Sequence, residues 1–569
     1  MLSHNFSEFI DRRLALCSFL YGFTLSLLTM SGYSLSNYRD LNLLYTHTLF
    51  FWISVLILTI VYSCIFVLLA NIIHRTSIGK QLPYVPFHLL AKNIIPKLFL
   101  LYCLAWLPYL VIHLPGTITF DVYFQMMQTD GLGPFTTHHP PFTTWLYGLF
   151  WSLGDVLGSR NYGLFTFSFL QILLTAFAFS FMFCYLRYVR IPTVVRRVLL
   201  LFTVLCPLFP LAAECMTKDY SFGLVWIFWI IGFIESIRTK GALLQNKKFA
   251  WIFFVCSFLL ILTKKPGIYI ISLSALASIV FLKRSSIKLI LPSFGAIIAY
   301  IILFQCIIFP SNGITESNDN DMLSLPLQQT ARYVSYYSDS IPENEQSAIN
   351  QVLPYNDLAN LYDPTLSDPV KAQFNSNASW NDKKNYAIVW FKEFTNHPIA
   401  YLEATGMNTF ELFYPCTVLD QFEDIPDYWR NDQSLVNYFK SNDAYETTSE
   451  NQISDLLNSL NSSEKLSAIR KELNGMINRV ITFPIIGFFC SQAFFAFWLP
   501  FTALIYTLYR RSWKTFIMLV PVLLSVLVLF ASPVVQSRYI TPLFYISPIL
   551  VSLPFLIELP NIRTPHLQK

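Results

Sequence analysis

Apolar residues gather in long runs with few or no charges along most of the chain. Twelve of these, near 14–31, 49–73, 95–114, 163–186, 197–213, 219–236, 249–263, 266–282, 287–309, 484–508, 514–533 and 539–558, are predicted to be membrane-spanning helices. About 20 mainly apolar residues suffice to cross about 30 Å of hydrocarbon. The run at 145–159 is shorter, contains Asp155 and follows Pro140-Pro141, so it is expected to lie in the interface rather than cross. The first run follows Arg12 and Arg13 without a small-residue cleavage site, which predicts a retained span and not a signal peptide.

The pattern changes over 310–483. Amphipathic helical periodicity at 325–337, 386–396 and 453–480 alternates with turns such as Tyr362-Asp363-Pro364 and Asp424-Ile425-Pro426-Asp427. A segment of about 170 residues is long enough to bury a core of its own. The expected fold is therefore mainly α: a polytopic helical membrane protein with a mainly helical soluble domain. Its divisions are an N-terminal transmembrane module (1–309, with a first outer loop at 115–160), the soluble domain (310–483) and C-terminal transmembrane helices (484–569).

Composition agrees, because 54% of the 569 residues are hydrophobic and only 13% are charged, about half the charged share of soluble domains. Charge then sets the topology. Residues 310–483 hold 24 acidic and 11 basic residues, while the rest of the chain carries a net charge of +18. With the 145–159 run not crossing, 22 of the 28 basic residues outside the acidic segment fall on one side. The positive-inside rule then puts both termini in the cytoplasm and 310–483 outside a plasma membrane. The basic excess lies in short loops between spans, which argues against a nucleic-acid partner. Ten cysteines without a C-x-x-C pair signal neither a zinc site nor a disulfide framework. No phosphate loop, G-x-G-x-x-G, H-E-x-x-H or G-x-S-x-G occurs.

Ten acidic residues lie outside the acidic segment, and six of them, Asp40, Asp121, Asp130, Asp155, Glu214 and Asp219, fall on the outer side of this topology. An acid at the membrane edge is costly enough for its position to be informative. Two outer loops are rich in polar groups. The first carries Thr119-Phe120-Asp121, Gln125, Gln128 and His138-His139-Pro140-Pro141, and a helix capped by Thr119 places Asp121, Gln125 and Gln128 on one face. The second reads Glu214-Cys215-Met216-Thr217-Lys218-Asp219. Outward cations are few, and Lys218, Lys264, Lys265 and Arg538 all stand at outer span ends.

Asp121 after the span that precedes the first outer loop, the His138–Pro141 stretch and the Lys218-Asp219 pair together resemble the polyprenyl-phosphate-dependent glycosyltransferases of the GT-C superfamily. The nearest resemblance is to an uncharacterised bacterial multi-pass membrane branch, in which a stretch like Leu325-Pro326-Leu327-Gln328-Gln329-Thr330-Ala331-Arg332-Tyr333 recurs. The resemblance implies a membrane-embedded, inverting enzyme that moves a sugar from a polyprenyl-phosphate donor to a cell-envelope glycan acceptor, such as a polysaccharide, teichoic acid or glycolipid. It further implies that the first-loop carboxylate is the general base. Relatives that mannosylate proteins carry Asp-Glu at that point, whereas Val122 follows Asp121 here, a departure that argues against a protein acceptor.

Chemistry points the same way. Glycosyl transfer from a lipid phosphate needs a base at the acceptor hydroxyl and cations on the leaving phosphate. Asp121 is the expected base, oriented by Gln125, with Glu214 and Asp219 as the other candidate carboxylates. His138, His139, Lys218, Lys264, Lys265 and Arg538 are the candidate substrate-binding groups. No nucleotide site is needed, since the donor is already activated; no cofactor is signalled, and a divalent metal is compatible but not signalled. Other readings stay open. Asp121 could be a helix cap, Glu214 and Lys218 could pair at i, i+4, the histidines could bond locally or bind a metal, and the cations could snorkel to headgroups. A polysaccharide polymerase or ligase and a lipid-linked substrate transporter are the alternative functions.

Overall fold

The computed structural model describes residues 11–558 except 79–82, 84, 318–322, 418–432, 441–444 and 446–447. The Asp424–Asp427 turn, and Lys80, Arg563 and Lys569 of the basic count, lie outside these residues.

The chain is about 81% helical. Helices α1 (Arg12–Tyr38), α2 (Thr48–Ile78) and α3 (Phe87–Ile112) lead to two short helices, α4 (Phe120–Thr129) and α5 (Pro141–Val156). Then come α6 (Arg160–Tyr188), the bent pair α7 (Thr193–Leu205) and α8 (Leu208–Glu214), α9 (Lys218–Arg238), α10 (Lys247–Thr263), α11 (Gly267–Leu282) and α12 (Ile287–Tyr300). The acidic segment contributes α13 (Ser324–Tyr337), α14 (Trp380–Asn396), α15 (Pro398–Thr409), α16 (Gln433–Lys440), α17 (Glu450–Asn458) and α18 (Ser467–Thr482). The chain returns to the bundle through α19 (Pro484–Cys490), α20 (Leu499–Tyr509), α21 (Trp513–Phe530) and α22 (Ser547–Glu558).

Among the described residues eight helical stretches are long and apolar enough to cross a membrane, or ten if each of two bent pairs is one span. Twelve runs were expected, and the difference comes from breaks. The runs at 266–282 and 287–309 form one apolar stretch, Gly267–Ser311, interrupted by a 3-10 turn at Lys283–Ser286. The 484–508 run divides into α19 and an apolar helix Phe494–Tyr509. A bend of 98° separates α19 from the helix before it. The 249–263 run is the 17-residue α10, about 26 Å long at 1.5 Å per residue.

Small residues let the helices approach closely. A Cβ on Gly22 of α1 would stand 2.4 Å from the Thr59 carbonyl oxygen of α2, and Ser26 Oγ lies 2.7 Å from Thr59 Oγ1. At the α5–α6 crossing, a Cβ on Gly163 would stand 2.0 Å from the Phe150 carbonyl oxygen. Helix α5 follows α4 closely: Gln125 of α4 donates to Thr143 and Thr144, and Arg160, just past α5, holds Asp130, just past α4, at 2.7 Å. The 145–159 run thus packs along α4.

The acidic segment does not close on a single core. Leu327, Val334, Ile349, Val370 and Tyr401 form one cluster with their neighbours. Leu435, Phe439, Ile453 and Leu457 instead share a cluster with Val122, Tyr123, Met126, Tyr147 and Trp151 of α4 and α5. Short amphipathic helices bury their apolar stripes against whatever apolar face lies nearest, and for α16 and α17 that face belongs to the first loop.

Candidate functional site

Two strand-to-helix turns lie side by side. Thr117–Ile118 (β1) pairs in parallel with Cys215–Met216 (β2), Thr117 against Cys215 and Ile118 against Met216. Each strand ends on a threonine with extended backbone, Thr119 or Thr217, that caps a helix. Carrying the register two residues further sets Asp121 on α4 level with Asp219 on α9, each in a first turn, where exposed amides and the helix dipole favour a carboxylate.

Three cations from separate parts of the chain meet these carboxylates. Lys218 Nζ donates to Asp121 Oδ2 at 2.8 Å and to His139 Nδ1 at 2.9 Å. Arg538, from the 3-10 turn Ser537–Ile540, reaches both acids, with Nη2 at 3.1 Å from Asp121 Oδ1 and Nε at 3.3 Å from Asp219 Oδ2. Lys264, at the C-terminus of α10, pairs with Asp219 Oδ1. Tyr539 floors the cluster, its ring centre 4.8 Å from Lys264 Nζ and 5.3 Å from the Arg538 guanidinium carbon.

Exposure separates the two acids: the Asp121 side chain is 18% exposed and that of Asp219 0%. Burial raises the pKa of Asp121, but Arg538 and Lys218 overcome it and hold the carboxyl well below its ordinary value. His139 is buried, and burial together with Lys218 holds its pKa well below the ordinary 6.5, so the ring is neutral. A lysine can only donate, hence Nδ1 is the acceptor and Nε2 carries the proton. Among the described residues that Nε2 has no hydrogen-bond partner, and neither do the buried hydroxyls of Thr119 and Thr217. Among the described residues no group of three or more His, Cys, Asp or Glu side chains stands together as metal ligands.

Of the sequence candidates, Asp121, His139, Lys218, Asp219, Lys264 and Arg538 thus form one cluster. His138 is exposed, with its ring edge-on to that of His139 at 4.7 Å, and Lys265, next to Lys264, is exposed too. Gln125 is buried, and its amide nitrogen is spent on Thr143 and Thr144, bracing α4 against α5. Glu214 does not pair with Lys218. Its Oε1 lies 2.8 Å from His113 Nδ1, and both side chains are buried. The reason is local: Glu214 ends α8 while Lys218 opens α9 beyond the extended Cys215–Thr217, so the i, i+4 geometry never forms.

The other three candidate acids, Asp40, Asp130 and Asp155, serve structure. Arg160 binds Asp130 and Asp155, and Asp40 accepts from the Asn42 amide at 2.8 Å. Sequence reasoning missed His113 and Tyr539. The local signal for the paired turns was present: Thr-x-Asp recurs as Thr119-Phe120-Asp121 and Thr217-Lys218-Asp219.

No curated protein matches the chain, and no solved structure does. A family model described as "Family of unknown function (DUF6020)" matches residues 132–559, three quarters of the chain and nearly all of the site except Asp121. The chain belongs to the DUF6020 family.

Proposed function

We propose that this protein is a GT-C-type glycosyltransferase, working at the outer face of a bacterial plasma membrane on a polyprenyl-phosphate sugar donor and a cell-envelope glycan acceptor. Both termini are cytoplasmic in this reading, the twelve apolar runs cross, and 310–483 is extracytoplasmic. The observation that carries it is the cluster itself: two carboxylates, one of them partly exposed, among three cations, built from four loops at one end of an apolar helical bundle.

The chemistry follows from the positions. Asp121 is the one partly exposed acid of the cluster and takes the proton of the acceptor hydroxyl. The hydroxyl oxygen forms a bond to the anomeric carbon as the bond from that carbon to the phosphate oxygen breaks. The bonding pair leaves on the phosphate, and a single displacement inverts the anomeric centre. Lys218, Lys264 and Arg538 compensate the charge that develops there. Asp219, wholly buried between Lys264 and Arg538, fixes the two cations.

Mass analysis of surface glycans tests the reading in cells that lack the protein, carry it, or carry Asp121→Asn. A sugar substituent present only with the wild-type protein supports transfer. Identical glycans in all three strains, together with an unchanged pool of lipid-linked sugars, would sink the proposal.

A further inference from the structure

The Asp121 carboxylate uses one oxygen on Lys218 and the other on Arg538, at 2.8 and 3.1 Å. A phosphate bound by the same two cations would present its oxygens in much the same way, since both are planar-to-tetrahedral oxyanions with oxygens a little over 2 Å apart. Unpartnered buried groups gather here as well: Nε2 of His139 and the hydroxyls of Thr119 and Thr217, each on an element that also carries a member of the ion cluster. Buried polar groups are seldom left without partners. Charge balance agrees, because two carboxylates against one arginine and two lysines, with His139 neutral, leave one positive charge for an incoming anion.

Resting on the glycosyltransferase reading, we infer that Asp121 is a placeholder for the donor's phosphate: the phosphodiester displaces it from Lys218 and Arg538, and only then is the carboxylate free to act as base. As long as both oxygens are engaged by cations, the carboxylate's charge is compensated and it is a poor base for an acceptor proton. Donor binding breaks two carboxylate–cation contacts and makes two phosphate–cation contacts, with no net change in ion pairing. The acceptor is therefore deprotonated only in the presence of donor, which makes binding ordered. A base withheld until the donor arrives also leaves water unactivated in the empty site.

Binding of a short-chain polyprenyl monophosphate to the full-length protein in detergent, followed by tryptophan fluorescence, tests this without any transfer assay. Removing the internal competitor should tighten binding, so Asp121→Asn is expected to bind the probe about tenfold more tightly than wild type, the effect of relieving a site that is free about a tenth of the time. Lys218→Met should weaken binding by a similar factor. Should Asp121→Asn fail to fold, carbodiimide labelling of wild-type Asp121, read by peptide mass analysis, serves instead. Labelling should rise on adding the probe as the carboxylate is released from its cations. Wild-type binding that is unchanged or weaker in Asp121→Asn, or labelling that falls with the probe, overturns the placeholder role alone. Absence of probe binding to wild type and both variants overturns the lipid-phosphate reading beneath it.

Discussion

Asp121 and Asp219 hold equivalent places in two matched turns, and their different surroundings assign them different work. Asp121 borders solvent, while Asp219 is closed in between Lys264 and Arg538. Asp121→Asn preserves shape and one acceptor oxygen but removes the base, so the inserted protein should lose about 10²-fold or more in turnover, the usual worth of a positioned base; wild-type transfer by a folded Asp121→Asn protein would exclude the role. His139 carries a separate, pH-dependent signature. Its folded pKa lies below the ordinary 6.5 of the unfolded chain. The unfolded state therefore takes up the proton first, and stability falls as pH drops below 6.5, by about 1.4 kcal/mol per pH unit. Thermal unfolding at pH 7.5 and 5.5 should show a drop for wild type that is smaller in His139→Gln, and equal drops would mean that other groups set the acid sensitivity. Six members of this cluster were legible in the sequence because outward charges in a chain 13% charged are few and stand out. His113 was not legible, since a lone histidine ending an apolar helix gives no local hint of a partner at Glu214, a hundred residues on.

Between elements, buried ion pairs decide how the acidic segment sits on the bundle. Arg332 of α13 is 1% exposed. It donates to Glu403 of α15 at 2.8 Å, to the Tyr362 hydroxyl at 2.8 Å and to the Arg39 carbonyl just past α1 at 3.0 Å. Glu403 in turn accepts from the Leu41 amide at 2.8 Å. The 325–333 stretch noticed in the sequence is thus a structural hub: Gln329 bonds Thr405 and Trp390, and Thr330 bonds Tyr386. Removing one partner of such a pair strands a buried charge, so Arg332→Met should cost about 3–5 kcal/mol. Adding Glu403→Gln removes the stranded charge and keeps an acceptor for Leu41, and should restore most of the loss. Melting temperatures of the single and double variants in detergent check this, and a double variant as unstable as the single would show that packing, not charge, carries the effect. Helix periodicity located α13 and α14 well but read 453–480 as one helix. The structure has α17 and α18 there, parted because Asn461 turns aside to bond Asn161 and Ser463 donates to the Leu114 carbonyl. Such tertiary partners lie some 300 residues away and leave no periodic trace.

At the scale of the whole molecule, one end of the bundle brings together the Asp121 cluster and described residues of the acidic segment. The cluster joins residues that follow α3, open α9, end α10 and precede α22, and residues of the acidic segment bond the same end, as when Thr137 donates to the Thr315 carbonyl at 3.0 Å. Opposite charges also meet elsewhere, where Glu558 binds Arg510 and His74, and Glu235 binds Arg238, at or near helix ends that adjoin the basic loops. The number of spans was only partly legible in the apolar runs, because span counting depends on where helices break. Orientation relative to the cell is the remaining inference, and Cys416 tests it. It is exposed and lies in the acidic segment, whereas the other exposed cysteines, Cys64 and Cys306, sit within apolar helical stretches. In a version that retains Cys416 alone, a membrane-impermeant maleimide applied to intact cells should label the protein fully, and opening the membrane first should add nothing. Labelling only after the membrane is opened would place the acidic segment and the Asp121 cluster in the cytoplasm. Donor and acceptor on the outer face would then be out of reach, and the proposed transfer would fall together with the topology.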